Sequence, residues 1–289
     1  MTNELTSVQI EAQKRNRDLK IRRVLSQSYL WFLLLLLYAP IVLIIVFSFT
    51  KSKVLGNWTG FTTQLYENLF TGYDRVAQVH VDPNLYYSLF YTLLIALVAA
   101  TFATLLGTLA AIGIFNMRQK SRNAIQFLNS IPMINPDILT GISLFLLFVV
   151  LGISRGLTTV IIAHVVFCTP YVVLSVMPRL TKMNPNIYEA ALDLGATPFQ
   201  ALRKVMMPEL WPGMLSGFIL SITLSIDDFG VTFFTKGSGG LETLSTFIYA
   251  DARKGGLTPE LRPLFSLIFI TMLVLLIIIN WRASKQAKK

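Results

Sequence analysis

Residues 87–117 pass from Tyr87 to Met117 without a single charged side chain. A helix needs about 20 mostly apolar residues to cross the hydrocarbon of a bilayer, and this run exceeds that. Five further segments qualify: 29–50, 123–154, 156–178, 211–235 and 263–281. Inside them the only charges are three carboxylates, Asp137 in the third and Asp227 and Asp228 in the fifth. The runs are continuous rather than alternating, which excludes a β-barrel. Composition agrees: 54% of the residues are hydrophobic and 14% charged, with a mean hydropathy of +0.60. A soluble domain is near about 25% charged. The chain is therefore expected to be an all-α membrane protein with six transmembrane helices, in contact with membrane lipid. A cytosolic enzyme, a nucleic-acid binder and a secreted scaffold are excluded.

The net charge of +10 then reads as topology rather than as a nucleic-acid surface. With the N-terminus inside, 17 of the 25 Lys and Arg fall in inside segments, and the other eight lie in longer outside loops beside acids. Both termini are expected in the cytoplasm. Residues 1–28 are polar and no small-x-small site follows the first apolar run, so no cleaved leader is expected. The expected organisation is a cytoplasmic tail over 1–28, a permease region over 29–282 and a short cytoplasmic tail over 283–289. Val8, Ala12, Leu19, Ile21 and Leu25 punctuate the basic tail. They suit either an amphipathic helix on the inner leaflet or a solvated basic tail. Ala99, Ala103, Gly107 and Ala111 form a small-residue row on the second span, which favours close packing inside the bundle over a subunit interface.

The loop between the fourth and fifth spans carries the most specific pattern. Asn184 and Pro185 suit a helix start. Ile187, Ala190, Ala191 and Leu194 share a helical face, and Gly195 suits a left-handed stop. Thr197 and Pro198 start a second helix, which Pro208 is expected to close. Shallow alanines offer a surface that a partner groove can approach closely, and Glu189, Asp193, Arg203 and Lys204 can fix its register.

Glu189-Ala190-Ala191, Gly195 four residues later and Pro208 thirteen after the glycine resemble the EAA motif of ABC-importer permeases. Three further stretches resemble, more closely, the C-type membrane subunits of spermidine/putrescine importers. They are Asn135-Pro136-Asp137-Ile138, the run from His164 through Cys168 and Pro170 to Tyr171, and Thr223 through Ser225 to Asp227-Asp228. The stretch 57–63 is similar as well. The resemblance covers nearly the whole chain. It implies the type I permease (MetI-like) fold, a bacterial inner-membrane location and alternating access. It also implies a second permease subunit, two ATPase subunits gripping the EAA loop and a periplasmic substrate-binding protein. No Gly-Lys dipeptide occurs, so the chain has no Walker A loop. It is expected to be a non-catalytic subunit without a cofactor of its own, with ATP-Mg on the partner ATPase.

The three buried acids carry the substrate argument. A carboxylate at mid-membrane costs roughly 2.5–3.5 kcal/mol on insertion scales, so it faces the bundle interior or a cavity. No Lys or Arg lies in any span to pair with them. Asp137 and at least one of Asp227 and Asp228, which point about 100° apart on a helix, are therefore expected to line a path for a cation, a polyamine above all. Phe229, Phe233 and Tyr171 are nearby rings suited to cation–π contact but more simply explained as packing. An importer for another solute and a secondary transporter driven by an ion gradient are the rival readings, and the EAA pattern argues against the second. His164 and Cys168 lie four apart on the fourth span, a metal-compatible spacing that lacks further ligands and favours packing.

Overall fold

One proline, Pro136, separates two helices of this chain, while Pro40, Pro132, Pro170, Pro178 and Pro212 lie inside theirs. The computed structural model describes residues 2–286 except 53, 55, 76 and 185. For 2–18, 21, 272, 275–276 and 278–286 it describes the backbone alone. Two units are distinguished, one built from residues 1–81 with 256–289 and the other from 82–255.

In the first unit, α1 (Thr2–Phe47) carries the basic tail and the first apolar run on one helix, passing without a break through the expected boundary at residue 28. Of the apolar residues in that tail, Val8, Ala12 and Ile21 have side chains outside those described. After α1 the chain turns back through a bridge between Thr50 and Phe61, with Phe49 stacked on Phe61 at 5.4 Å. A short helix α2 (Gln64–Thr71) ends at Gly72, whose φ of 70° supplies the left-handed cap. A small antiparallel hairpin of β1 (Tyr73–Asp74) and β2 (Val79–His80) follows. The last helix of the chain, Leu261–Gln286, also belongs to this unit, and its Arg262 donates to the Ser52 carbonyl at 2.9 Å.

The second unit begins with α3 (Pro83–Phe115), capped by Asp82, whose side chain accepts from the Asn84 amide at 2.9 Å. It continues with α4 (Gln119–Ile134), α5 (Asp137–Val150) and α6 (Leu157–Lys182). The EAA loop forms α7 (Asn186–Asp193) and α8 (Pro198–Ala201). Then come α9 (Met207–Asp227), α10 (Gly230–Thr235) and α11 (Leu244–Arg253), and Leu261–Gln286 is α12.

Four helical stretches among the described residues are long and apolar enough to cross a membrane. The predicted third span is not one straight helix. It divides at Asn135–Pro136 into α4 and α5, which bend by 104°, because Pro136 has no amide to continue the ladder and disfavours helical geometry at Asn135. Counted as one crossing, the pair raises the number to five. The sixth predicted span lies on α12, whose described apolar stretch is Leu261–Thr271.

The core of this unit is the packing of α3, α6 and α9. The small-residue row of α3 is buried here: Ala99, Ala103 and Ala111 are fully enclosed. A Cβ added to Gly107 would fall 2.6 Å from the Cβ of Val172 on α6, and one on Gly217 of α9 would fall 3.2 Å from the Cα of Val172. Two glycines on two helices thus accommodate one valine. In lipid, where burial adds little drive to helix association, such close backbone approach is the main source of cohesion.

This contact predicts a contrast between two glycines of one helix. Gly107→Ala should destabilise the folded protein by about 1–3 kcal/mol, the cost of overpacking. Gly113→Ala meets nothing within 4 Å and should be neutral or slightly stabilising through helix propensity. Thermal unfolding in detergent compares them directly.

Candidate functional site

Two interrupted helices meet where the acids lie. The chain leaves α9 at Asp227, passes through Asp228 in extended geometry (ψ 130°) and re-enters a helix at Gly230. Opposite, it leaves the α4 break and starts α5 at Asp137. A Cβ on Gly230 would stand 3.0 Å from the Ile138 amide nitrogen, and one on Gly141 would stand 2.7 Å from the Gly230 carbonyl oxygen. The N-terminal turns of α5 and α10 are therefore in backbone contact, which only glycine allows at both positions. The α9–α10 break is enclosed at Asp228 and Gly230, whereas residues 134–139 at the α4–α5 break are exposed in this chain.

The three acids come together here, Asp137 lying within electrostatic reach of both Asp227 and Asp228. Their surroundings differ. Asp228 is 4% exposed. Its Oδ1 accepts from the Val231 amide at 3.1 Å, and its Oδ2 from the Thr232 amide and hydroxyl, each at 2.8 Å. It caps α10, and the positive end of that helix favours its charge. Its Oδ2 also lies 3.4 Å from Nε2 of His164, a fully buried residue of α6. Within this chain Asp228 is enclosed and turned toward α6 and α10. The sequence argument looked for Lys or Arg as the partner of the acid and passed over His164.

His164 is the residue whose role the sequence did not disclose. Its Nδ1 lies 2.7 Å from the Ser225 hydroxyl and its Nε2 2.9 Å from the Thr232 hydroxyl. Cys168, one turn along, directs its thiol to the Ser221 carbonyl at 3.6 Å. The two face the same neighbour but serve packing and hydrogen bonding; no cluster of three or more metal-ligating side chains occurs among the described residues. The signal available in the sequence was the run of hydroxyls, Ser221, Ser225 and Thr232, on the segment that must pass this histidine.

Asp137 and Asp227 are exposed and have no hydrogen bond or ion pair among the described residues. Asp227 ends α9, where the helix dipole is negative and opposes its charge. The rings nearby pack on each other: Phe229 lies 5.2 Å from Phe233 and 4.9 Å from Tyr249, and Phe167 lies 5.7 Å from Tyr171.

The EAA loop is a helical hairpin. Asn184 accepts from the Asn186 amide at 3.0 Å; Pro185 lies outside the described residues. At the end of α7, Ala196 donates to the Ala191 carbonyl at 3.0 Å and Gly195 to the Leu192 carbonyl at 2.9 Å. With φ of +84° at Gly195, this is a Schellman stop. Thr197 and Gln200 then form a reciprocal capping box at the start of α8. Glu189 and Ala190 are exposed, Ala191 half-buried, and Leu194 and Phe199 stand out at 90% and 68% exposed. A cleft of about 660 Å³ beside them is lined by Phe115, Tyr188, Glu189, Phe199 and Leu202.

Pro208 does not close the second helix as expected. Leu202–Met206 form a π-helical turn, in which the Met207 amide reaches back to the Leu202 carbonyl. Pro208 then takes an early position of α9, and the helix runs on to Asp227. The wider turn accommodates a residue that lacks an amide proton. It joins the hairpin to the helix that ends at the acids.

Comparisons with known proteins bear on the same elements. Residues 103–284 match the family described as binding-protein-dependent transport system inner membrane component. The chain is 35% identical to the spermidine/putrescine transport system permease protein PotC of Escherichia coli (strain K12), over 89% of this chain and 93% of that one. It is 34% identical to the putrescine transport system permease protein PotI of the same strain, over 80% and 81%. Among solved structures, a chain of a bacterial ABC transporter involved in the import of the acidic polysaccharide alginate aligns with a TM-score of 0.64. The identity is 15%, over 92% of this chain and 96% of that one. A chain of the inward-facing MetNI methionine ABC transporter aligns at 0.52, with 22% identity over 71% and 96%. The fold is the MetI-like ABC-permease fold expected from the sequence.

The hairpin geometry makes its own prediction. Gly195→Val places a branched side chain at positive φ, at a cost of about 1–2 kcal/mol. Amide exchange at 195 and 196 should accelerate roughly 5–30-fold. Gly195→Asn, tolerated in the left-handed region, should change it little.

Proposed function

We propose the function of this chain from one premise: it belongs to the family of binding-protein-dependent transport system inner membrane components. The chain is the permease subunit of an ATP-driven ABC importer that moves polyamines, spermidine or putrescine, across the bacterial inner membrane. Both termini lie in the cytoplasm, in keeping with the distribution of Lys and Arg. A second permease subunit completes the pathway, a periplasmic binding protein delivers the substrate, and two ATPase subunits carry ATP-Mg. The chain itself has no catalytic site.

Two elements of the structure support a division of labour. The hairpin of Glu189, Ala190, Ala191 and Gly195 presents exposed Leu194 and Phe199 to the ATPase. Because the hairpin continues through the π-helical turn and Pro208 into α9, displacement of α7 and α8 is transmitted along one rod to Asp227. Alternating access follows when that rod moves relative to α6.

The substrate reading is carried by one observation: Asp137 and Asp227 are two exposed carboxylates without partners among the described residues, at two interrupted helices that meet at Gly230. Fold alone does not choose the solute, since a related fold serves an importer of the acidic polysaccharide alginate. Two separated negative charges suit a chain of separated amines, each contact weak enough to be released. The polyamine names of PotC and PotI agree with that chemistry.

Proteoliposomes holding the complete importer, with ATP inside and spermidine-loaded binding protein outside, provide the test. Asp137→Asn and Asp227→Asn keep the side-chain shape and remove the charge. Each should lower uptake about tenfold or more while the complex assembles normally, since a charge pair near 4 Å is worth about 4 kcal/mol at an effective dielectric of 20. Uptake at the wild-type rate by both assembled variants would rule out the polyamine path. Uptake that persists without ATP on an ion gradient would rule out the ABC mechanism.

A further inference from the structure

The buried polar cluster at the α9–α10 break contains more chemistry than a helix cap requires. Its hydrogen bonds have a consistent direction. The Thr232 hydroxyl donates to Oδ2 of Asp228 at 2.8 Å, so its oxygen is left to accept from Nε2–H of His164 at 2.9 Å. Nδ1 of the same ring then accepts from the Ser225 hydroxyl at 2.7 Å. One relay thus runs from Ser225 on α9, through the ring on α6, to Thr232 and Asp228 across the break. On the adjoining turn, the Thr159 hydroxyl of α6 donates to the Thr235 carbonyl at 3.0 Å. On the far side, the Ser245 hydroxyl of α11 donates to the Asp228 carbonyl at 2.6 Å. Asp227, the next residue, takes part in none of these bonds.

We infer that His164 is a positioning residue: by tying Ser225 and Thr232, on opposite sides of the break, to one rigid ring, it fixes the angle at Asp228 and aims Asp227 into the path. The inference rests on the reading of Asp227 as a substrate-path acid. The ring reaches both helices because its two nitrogens point in opposite directions, and no single hydroxyl could span them. Asp228 is thereby a backbone anchor, and the adjacent pair of aspartates divides into one carboxylate that holds the bend and one that it presents.

The test is a double-variant cycle on the complete importer, reading spermidine uptake per assembled complex. His164→Gln retains a donor and an acceptor on a shorter, flexible side chain. It should lower uptake about fivefold, the size of one lost hydrogen bond. Asp227→Asn alone should lower it further. Because His164 acts through Asp227, the double variant should equal Asp227→Asn alone rather than multiply the two losses. A residue needed only for folding would reduce the amount of complex and leave uptake per complex unchanged. If His164→Gln fails to assemble, the pair His164→Leu with Asp228→Asn takes its place in the same cycle; it removes both partners together and leaves no buried carboxylate unpaired. Wild-type uptake by the His164 variant, or multiplicative losses while Asp227→Asn is impaired, overturns this inference alone. Wild-type uptake by Asp227→Asn overturns both this inference and the substrate path beneath it.

Discussion

The backbone contact between Gly230 and the first turns of α5 governs the arrangement of this site. A membrane offers no water to an opened helix, so a break in a spanning segment must be enclosed by protein. Here the two breaks meet through Gly230, which packs on the first turn of α5. Gly141 and Gly230 permit approach to distances at which any Cβ would collide, and the acids flank that approach.

Charge is distributed around this contact in a consistent way. An isolated carboxylate is costly at membrane depth, and Asp228 avoids the penalty through two backbone amides, a hydroxyl and the nearby His164 ring. Its neighbour lies at the unfavourable end of α9 with no compensating group among the described residues. Asp137 is favoured by the N-terminus of α5 but likewise has no partner. Among the described residues the three acids thus divide into one with several hydrogen-bond partners and two with none. The EAA hairpin leads through the π-helical turn into α9, the helix that ends at Asp227.

Much of this was legible in the sequence where local rules act alone. Charge-free runs pointed to the spans, and Gly195 with Thr197 to the stop of α7 and the start of α8; of the two prolines before Asp137, Pro136 marks the break while Pro132 lies inside α4. Pro208 was misread by the same local rules. A proline normally stops a helix, and the π-helical turn that accommodates it has no comparable local signature. His164 was weighed against Cys168 as a metal ligand because helical spacing compares residues on one helix, whereas its partners lie on α9 and α10, more than sixty positions away. The meeting of Gly141 with Gly230 is equally non-local. The three acids stand out in the sequence, but only tertiary packing shows that Asp228 is held by hydrogen bonds while Asp137 and Asp227 have none among the described residues.

The measurement closest to the central claim is the aqueous accessibility of the three acid positions. In a Cys168→Ser background, single cysteines at 137, 227 and 228 are exposed in the assembled importer to a cationic, membrane-impermeant thiol reagent, with and without spermidine. Cysteines at 137 and 227 should react, and spermidine should slow both reactions, while the cysteine at 228 should remain unreactive in the folded complex. Rapid reaction at 228 with protection there, or inert cysteines at 137 and 227, would contradict the account.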